Sequence, residues 1–262
     1  MNMKDSKGKL PDDDFNKYYL TGKRFLNNPV LLHGVERSVK EMHKSTSRTE
    51  VLNFLLCQLK RETTYLEIGV CNPFGNYNYI KADIKYSVDP GYDFIENPVD
   101  LKMTSDEFFA KLENNEILTA DIKFDVIFID GLHLAEQVDR DIINSLKYIK
   151  DDGFIVLHDC NPPTEWHARE DNDYIDTPAG VYWNGTTWKA FLKWRFNDSV
   201  KSCCIDSDWG IGVLSKKHSI GNCINPINLF FEFNILDNNR HEYLNLIEYN
   251  DFKNMIRDKL ST

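Results

Sequence analysis

The clearest strand in this sequence reads Phe124-Asp125-Val126-Ile127-Phe128-Ile129-Asp130. A nearly continuous apolar run of this length is typical of a strand that is covered on both faces of a sheet. Three shorter strand-like runs, at 65–70, 86–89 and 154–157, alternate with stretches whose apolar residues recur at helical spacing. This alternation predicts βαβ units, and therefore an α/β fold with a doubly wound, mostly parallel sheet.

The helices and the far end of the sheet have their own local signals. Capping boxes at Ser47-Arg48-Thr49-Glu50 and Thr104-Ser105-Asp106-Glu107 each predict the start of a helix. We also predict a short helix near 76–80, a third strand at 99–103 and a mainly helical tail over 228–260. Two runs at 200–205 and 211–214 flank Asp208-Trp209-Gly210, which predicts an antiparallel C-terminal hairpin.

The pattern divides the chain into an N-terminal helical extension, 1–46, and a main domain, 47–262. The main domain contains an insertion at 162–196 that holds four of the five tryptophans. Trp188 and Trp194 stand in helical sequence, where a tryptophan usually packs in the core. Trp166 and Trp183 stand in loop-like sequence, so we expect them to cover the opening of a cleft.

Composition limits the partners and the compartment. Asp and Glu total 41 against 31 Lys and Arg, a net charge of −10, so the surface as a whole repels nucleic acid. The first residues carry no apolar segment of a secretory signal, and no stretch approaches the roughly 20 apolar residues of a membrane span. The six cysteines contain no CxxC pair. We therefore expect a cytoplasmic protein with reduced thiols, no nucleic-acid partner and no membrane partner.

Polar residues follow four of the predicted strands, at Glu67-Ile68-Gly69, Asp89, Asp130 and His158-Asp159. In open α/β sheets, ligands bind beyond the carboxyl ends of the strands, where the strand order reverses. The turn from Gly69 to Gly75 lets the backbone approach a ligand closely, although it lacks the GxGxxG spacing of dinucleotide binders. Asp89 lies about 20 residues beyond Gly69, where an acidic side chain can bind ribose hydroxyls. The alternative is an ordinary βα turn followed by an exposed aspartate.

Four segments together carry a family resemblance: YLEIGV (65–70), YSVDP (86–90), FDVIFIDGLH (124–133) and GFIVLHDC (153–160). The sequence resembles the class I S-adenosylmethionine-dependent methyltransferases, in particular a bacterial group with FIDGxH and HD motifs. The resemblance implies a Rossmann-like fold that ends in an antiparallel hairpin, with S-adenosylmethionine as the cofactor. By the same resemblance, cofactor contacts fall on Glu67, Gly69, Gly75, Asp89, Thr104, Ser105 and Asp130. The turn that ends at Gly75 is longer than the family's glycine-rich turn, so the contact at Gly75 is left open.

Asp130 and His133 are the candidate catalytic pair, because a strand end and the following helix start point into the same cleft. Methyl transfer to a hydroxyl needs a base, and histidine has a suitable pKa. The motif resembles that of metal-dependent macrolide-sugar O-methyltransferases, which implies a divalent cation such as Mg²⁺ bound by Asp130, His158 and Asp159. That family's acidic pair after the fifth strand is His158-Asp159 here. The alternative for His133 is a helix cap, or a bond to a buried carbonyl.

The function expected from these features is O-methylation of a small hydroxyl acceptor, with a sugar or glycan precursor preferred. A homo-oligomer is left open. Two other functions remain as alternatives. A nicotinamide-dependent oxidoreductase would use the same strand-end Asp89, although the missing GxGxxG counts against it. A non-catalytic S-adenosylmethionine-binding protein would keep the fold and the ligand without the reaction.

Overall fold

The computed structural model describes residues 12–92, 96 and 98–260. Within them, eight α-helices and seven strands alternate along the chain. The helices are α1 Asp12–Leu26, α2 Pro29–Met42, α3 Arg48–Gln58, α4 Ser105–Glu113, α5 Ala135–Tyr148, α6 Thr187–Arg195, α7 Phe233–Leu244 and α8 Tyr249–Leu260. The strands are β1 Thr64–Ile68, β2 Ile84–Val88, β3 Phe124–Ile129, β4 Ile149–Leu157, β5 Lys201–Ile205, β6 Ile211–Ser215 and β7 Leu246–Ile247.

The strands form one sheet in the order β2-β1-β3-β4-β6-β5-β7. β1 pairs in parallel with β2 on one side and with β3 on the other, and β3 pairs in parallel with β4. β6 runs antiparallel to both β4 and β5, which confirms the predicted hairpin, and the short β7 lies parallel to β5. Because the chain leaves β1 for β2 and then crosses to β3, the strand order reverses beside the carboxyl end of β1.

The central strands bury alternate side chains on the two faces of the sheet. Leu66 and Ile127 belong to the core that α4, α5, α6 and α7 cover, whereas Tyr65 and Val126 belong to the core beneath α3 and α8. All four of these side chains are fully buried. The expected doubly wound α/β sheet is therefore present, and its apolar strands are apolar because helices cover both faces.

Two local predictions differ from the structure. The predicted strand at 99–103 is reduced to a single bridge between Leu101 and Val88. The reason is that the Asp100 carboxylate accepts the Ser87 N–H at 2.9 Å, so a side chain takes the place of a ladder partner. The predicted helix near 76–80 is a pair of 3₁₀ turns, at Pro73–Gly75 and Tyr77–Tyr79.

The N-terminal extension is helical where the structure describes it, and α2 packs against the 162–196 insertion. Arg37 donates to the carbonyl of Pro163, and the Ser38 hydroxyl lies 2.9 Å from Nε2 of His167. Trp188 and Trp194 are buried, as expected for tryptophans that pack in the core. None of the helices in the described part of the chain is long and apolar enough to cross a membrane.

Candidate active site

A cavity of about 360 Å³ opens at the carboxyl ends of β1, β2 and β3, where the strand order reverses. Its volume falls within the range of small-molecule sites. Its lining combines strand ends, helix starts and the insertion. The lining residues are Ile68, Gly69, Cys71, Val88, Asp89, Pro90, Tyr92, Thr104, Ser105, Asp130, Gly131, Leu132, Gln137, Asp141, Asn172 and Trp183.

Gly69 ends β1 in a conformation that requires glycine, with φ at +83°. A Cβ at this position would lie 2.3 Å from the Asp130 carbonyl oxygen and 2.3 Å from Cα of Gly131. The missing side chain thus lets the ends of β1 and β3 come together beside the cavity. A ligand at this point would meet backbone; the cofactor contact at Gly69 stays a prediction.

Asp89 lies at the end of β2 with its carboxylate fixed by backbone donors. Oδ2 accepts the N–H groups of Val70 and Cys71 at 3.0 Å each, and Oδ1 accepts that of Gly91 at 2.6 Å. The predicted ribose-binding residue therefore lines the cavity in a fixed orientation.

The start of α4 forms the next part of the wall. The Thr104 hydroxyl caps the helix by accepting the Glu107 N–H at 3.2 Å, and Ser105 accepts a bond from Gln137 at 3.1 Å. Both Thr104 and Ser105 line the cavity, and their contact with the cofactor stays a prediction.

Gln137 and Asp141 also line the cavity, and the sequence analysis missed them. Asp141 is buried, and this burial raises its pKa to about 6. Gln137 donates to Asp141 at 3.1 Å across one helical turn. The available signal was a polar pair at i and i+4 beside the apolar positions Val138 and Ile142.

Glu67 and Gly75, both predicted cofactor contacts, are not among the lining residues described for the cavity. The Glu67 carboxylate is buried and accepts bonds from the Tyr65 hydroxyl at 2.6 Å and from Asn76 at 2.9 Å. Burial raises the pKa of Glu67 to about 8. Gly75 lies in the first 3₁₀ turn, with nothing within 4 Å of an added Cβ. Glu67 thus supports the turn from within, and Gly75 lies on open surface.

Four predicted side chains, which we call the acid–histidine cluster, converge beyond β3 and β4: Asp130, His133, His158 and Asp159. His133 bridges the two carboxylates, with Nε2 3.3 Å from Asp130 Oδ1 and Nδ1 3.2 Å from Asp159 Oδ2. Nδ1 of His158 lies 3.2 Å from Asp130 Oδ1 and 3.1 Å from Asp159 Oδ2. The sequence therefore identified four residues that the fold brings into direct contact.

Arg48 and Asp208 join the cluster, and the sequence analysis missed both roles. Arg48 is the first residue of α3. Its Nη1 donates to Asp130 Oδ2 at 2.9 Å, and its backbone N–H donates to Asp208 Oδ2 at 2.7 Å. The other oxygen of Asp208 lies 3.0 Å from Nε2 of His158. The capping box around Arg48 predicts only the start of a helix. No local sequence feature indicates a contact with a residue 82 positions away.

Opposite charges dominate the protonation of the cluster. Burial disfavours ionisation of Asp130, yet His158 and Arg48 hold the pKa of this carboxyl well below its ordinary value. Burial likewise disfavours the imidazolium forms. Asp159 and Asp130 nevertheless raise the pKa of His133, and they raise the pKa of His158 well above its ordinary value. His133 is thus a stronger base than a free histidine.

The insertion positions His133 from the outside. The Trp183 ring stacks on the imidazole, with centroids 5.1 Å apart, and also lines the cavity. Thr186 donates its N–H to the His133 carbonyl at 2.7 Å, and Asn184 donates to Asp159 Oδ1 at 2.6 Å. Trp183 therefore lies at the cavity, as expected, whereas Trp166 is not among the described lining residues.

The donor types of the cluster are those a divalent cation would use. Asp130, His133 and Asp159 each offer one ligand atom, and these atoms lie within 4.8 Å of one another. The predicted third ligand, His158, contacts the same carboxylates. However, the Arg48 guanidinium already lies against Asp130, so the arrangement as a whole does not fit a cation held there.

The part of the chain that builds this cavity matches a known family. Residues 66–160 match a family model described as a methyltransferase domain. None of the curated proteins compared with the chain matches it.

Several solved structures of methyltransferases are similar at low identity. An O-methyltransferase from Bacillus cereus in complex with S-adenosylhomocysteine is 13% identical, with a TM-score of 0.40 over 72% of this chain and 91% of that chain. The O-methyltransferase TomG from Streptomyces achromogenes, in complex with S-adenosylmethionine, is 13% identical, with a TM-score of 0.41 over 72% and 90%. A methyltransferase from Podospora anserina, bound to S-adenosylhomocysteine, is 14% identical, with a TM-score of 0.41 over 80% and 98%. At these scores no residue role is transferred from them.

The family match covers β1 from Leu66 onward and the whole of β2, β3 and β4, and so the strand ends around the cavity. The bare backbone at Gly69 and the anchored carboxylate of Asp89 fit S-adenosylmethionine. Residues 66–160 therefore form a methyltransferase domain.

Proposed function

We propose that the chain is a class I S-adenosylmethionine-dependent methyltransferase, and that it methylates a hydroxyl oxygen of a small acceptor. The observation that carries the proposal is the pair formed by Asp130, which lines the cavity, and His133, 3.3 Å behind it. S-adenosylmethionine, when bound, would supply a sulfonium methyl group that the acceptor oxygen displaces, with S-adenosylhomocysteine as the leaving group. The hydroxyl proton would remain for the protein to remove.

Asp130 and His133 divide the proton transfer between them. Asp130 accepts a hydrogen bond from the acceptor hydroxyl at the cavity wall, and the proton passes through this carboxylate to Nε2 of His133. The low pKa of Asp130 makes it a poor final holder of the proton, whereas the raised pKa of His133 makes it a good one. Asp159 on Nδ1 keeps the ring oriented and stabilises the imidazolium that forms.

The cofactor would lie along the ends of β1 and β2. Asp89 would bind the ribose hydroxyls, Gly69 would allow close approach of the amino-acid end, and Thr104 and Ser105 would flank the adenine. Asp130 would lie between cofactor and acceptor. Glu67 and Gly75 have no direct contact in this proposal, because Glu67 is buried against Tyr65 and Asn76.

A sugar or glycan precursor remains the preferred acceptor class. Trp183 and Asn172 both line the cavity. An aromatic ring there suits the C–H face of a sugar, and the amide can bond its hydroxyls. We expect the acceptor to lie against Trp183 because this ring also packs on His133.

The remaining assignments follow from the same observations. We keep 1–46 as a helical extension and 47–262 as the methyltransferase domain with its insertion at 162–196, since α2 packs on that insertion. We expect a cytoplasmic location, since none of the six cysteines is in a disulfide. The net charge of −10 counts against nucleic acid as an acceptor. The homo-oligomer stays a prediction for gel filtration to test.

Titration calorimetry would test the proposal first. Wild-type protein should bind S-adenosylmethionine saturably and should give no measurable heat of binding with NAD⁺. Asp89→Ala should lose at least tenfold in cofactor affinity, whereas His133→Asn should keep wild-type affinity and lose turnover on hydroxylated acceptors. Binding of NAD⁺ instead would favour the oxidoreductase. Cofactor binding with no turnover on a broad panel of sugars would favour the non-catalytic protein.

A further inference from the structure

Arg48 occupies the place in the acid–histidine cluster where the sequence led us to expect a metal ion. Its side chain is about three-quarters buried, and Nη1 donates to Asp130 Oδ2 at 2.9 Å. The same Nη1 lies 2.9 Å from Nδ1 and 3.0 Å from Nε2 of His158. The guanidinium therefore lies against two of the three residues predicted to bind the cation.

Two contacts with Asp208 fix Arg48 in this position. The Arg48 backbone N–H donates to Asp208 Oδ2 at 2.7 Å, and its Nε lies 3.8 Å from the same oxygen. Asp208 lies in the turn between β5 and β6 with φ at +46°, and it also contacts His158. Arg48 is held through both its backbone N–H and its guanidinium. It is therefore part of the site rather than a mobile arginine on the surface.

The carboxylate oxygens that would ligate a cation already have nitrogen partners. Asp130 Oδ2 contacts Arg48, and its Oδ1 contacts both histidines. Asp159 Oδ1 accepts from Asn184, and its Oδ2 contacts the same two histidines. A Mg²⁺ ion needs oxygen ligands near 2.1 Å in octahedral geometry, so binding would require several of these contacts to break.

The cluster already contains a fixed positive charge. The carboxylates of Asp130 and Asp208 contact Arg48, which stays charged at all physiological pH values. A divalent cation beside Asp130 would face the guanidinium across a short distance, in a partly buried place where such repulsion is weakly screened.

We propose that Arg48 takes the place of the divalent cation, so that this methyltransferase site works without a metal. The guanidinium acts as a positioning group: it holds Asp130 Oδ2, which leaves Oδ1 directed at His133. This inference rests on the proposed function for the catalytic meaning of the cluster, but its claim about metal binding stands on the contacts of Arg48 alone.

Manganese binding, measured by electron paramagnetic resonance of free Mn²⁺, tests the inference without an acceptor. Wild-type protein should show no saturable binding up to about millimolar Mn²⁺. Arg48→Gln removes the positive charge of the guanidinium and releases Asp130 Oδ2. This variant should bind Mn²⁺ at least tenfold more tightly than wild type. Arg48→Lys keeps a positive charge and should bind no more than wild type. Arg24→Gln, which removes a positive charge from the exposed face of α1, is the matched control and should resemble wild type.

Two outcomes would overturn the inference. The first is micromolar Mn²⁺ binding by the wild type that Asp159→Asn abolishes, a result that does not depend on any Arg48 variant folding. The second is a folded Arg48→Gln protein, checked by circular dichroism, that gains no affinity. Titration of the wild-type sample with S-adenosylmethionine in EDTA separates the two proposals. If the wild type binds neither S-adenosylmethionine in EDTA nor Mn²⁺, the result would count against the methyltransferase function. The inference that Arg48 replaces the cation would still stand.

Discussion

The two sides of the cavity are built from different parts of the chain. The cofactor side, at the ends of β1 and β2, uses Gly69 and the backbone around Asp89, all within 23 residues of one another. The acid–histidine cluster, at the ends of β3 and β4, depends on Arg48, Asn184 and Asp208, which come from three distant segments. The first is a local structure, and the second is a tertiary one.

This difference has a consequence for how the two sides fail. The cofactor side depends on backbone geometry, so a change there should disturb binding and stability together. The cluster depends on side-chain contacts between segments, so single changes should alter turnover while the sheet stays intact. The predictions below test this contrast in order of decreasing effect.

Gly69→Ala should produce the largest loss. The new Cβ would lie 2.3 Å from the Asp130 carbonyl oxygen, at a φ of +83°, and backbone atoms cannot move aside cheaply. We expect a loss of about 3 kcal/mol or more in the free energy of unfolding and roughly a 100-fold loss of cofactor affinity. Urea denaturation and calorimetry would measure both. Gly131→Ala is the control, because a Cβ there has no contact closer than 3.7 Å. Equal losses in the two variants would contradict the argument.

His133→Asn should reduce turnover by roughly 100-fold or more, which is typical of a lost general base. Cofactor affinity should stay within about threefold of wild type, because His133 is not among the cavity-lining residues that the structure describes. Release of S-adenosylhomocysteine with a hydroxylated acceptor would measure the effect. His43→Asn, at an exposed position just after α2, provides a control for the loss of a histidine. Unchanged turnover would remove His133 from the mechanism.

The local side of the site could be predicted from the sequence, because its signals lie within single strands and turns. Apolar runs located β1 and β3, and acidic residues at strand ends located Asp89 and Asp130. The neighbours of the cluster could not be predicted, since nothing near Arg48 or Asp208 in the sequence states which distant group each contacts. Glu67 was assigned to the cofactor for a related reason: the pattern shows that it ends a strand, but not that Tyr65 and Asn76 bind its carboxylate.

Asn184→Ala tests how firmly the insertion holds the cluster. Asn184 is fully buried and donates to Asp159 Oδ1 at 2.6 Å, so its loss leaves a buried carboxylate oxygen without that donor. We expect a loss of about 2 kcal/mol in the free energy of unfolding, together with lower turnover. Asn172→Ala, at an exposed position of the same insertion, should cost no more than about 0.5 kcal/mol. If the two variants were equally stable, the contact between Asn184 and Asp159 would contribute nothing to the free energy of unfolding.

Glu67→Gln should produce the smallest and most specific change, a flatter dependence of stability on pH. Burial raises the pKa of Glu67 from 4.5 to about 8, so between these values the folded protein binds more protons than the unfolded chain. The free energy of unfolding therefore falls as the pH rises through this window, by on the order of 2 kcal/mol from this group. Glutamine keeps the neutral shape at every pH and should remove that part of the slope. Urea denaturation from pH 5 to pH 8 would measure it, with Glu113→Gln as an exposed control on α4 that should keep the wild-type slope. A parallel slope in Glu67→Gln would mean that Tyr65 and Asn76 hold an ionised carboxylate throughout. The charge of Glu67 would then depend on its contacts, as the charges of the cluster do.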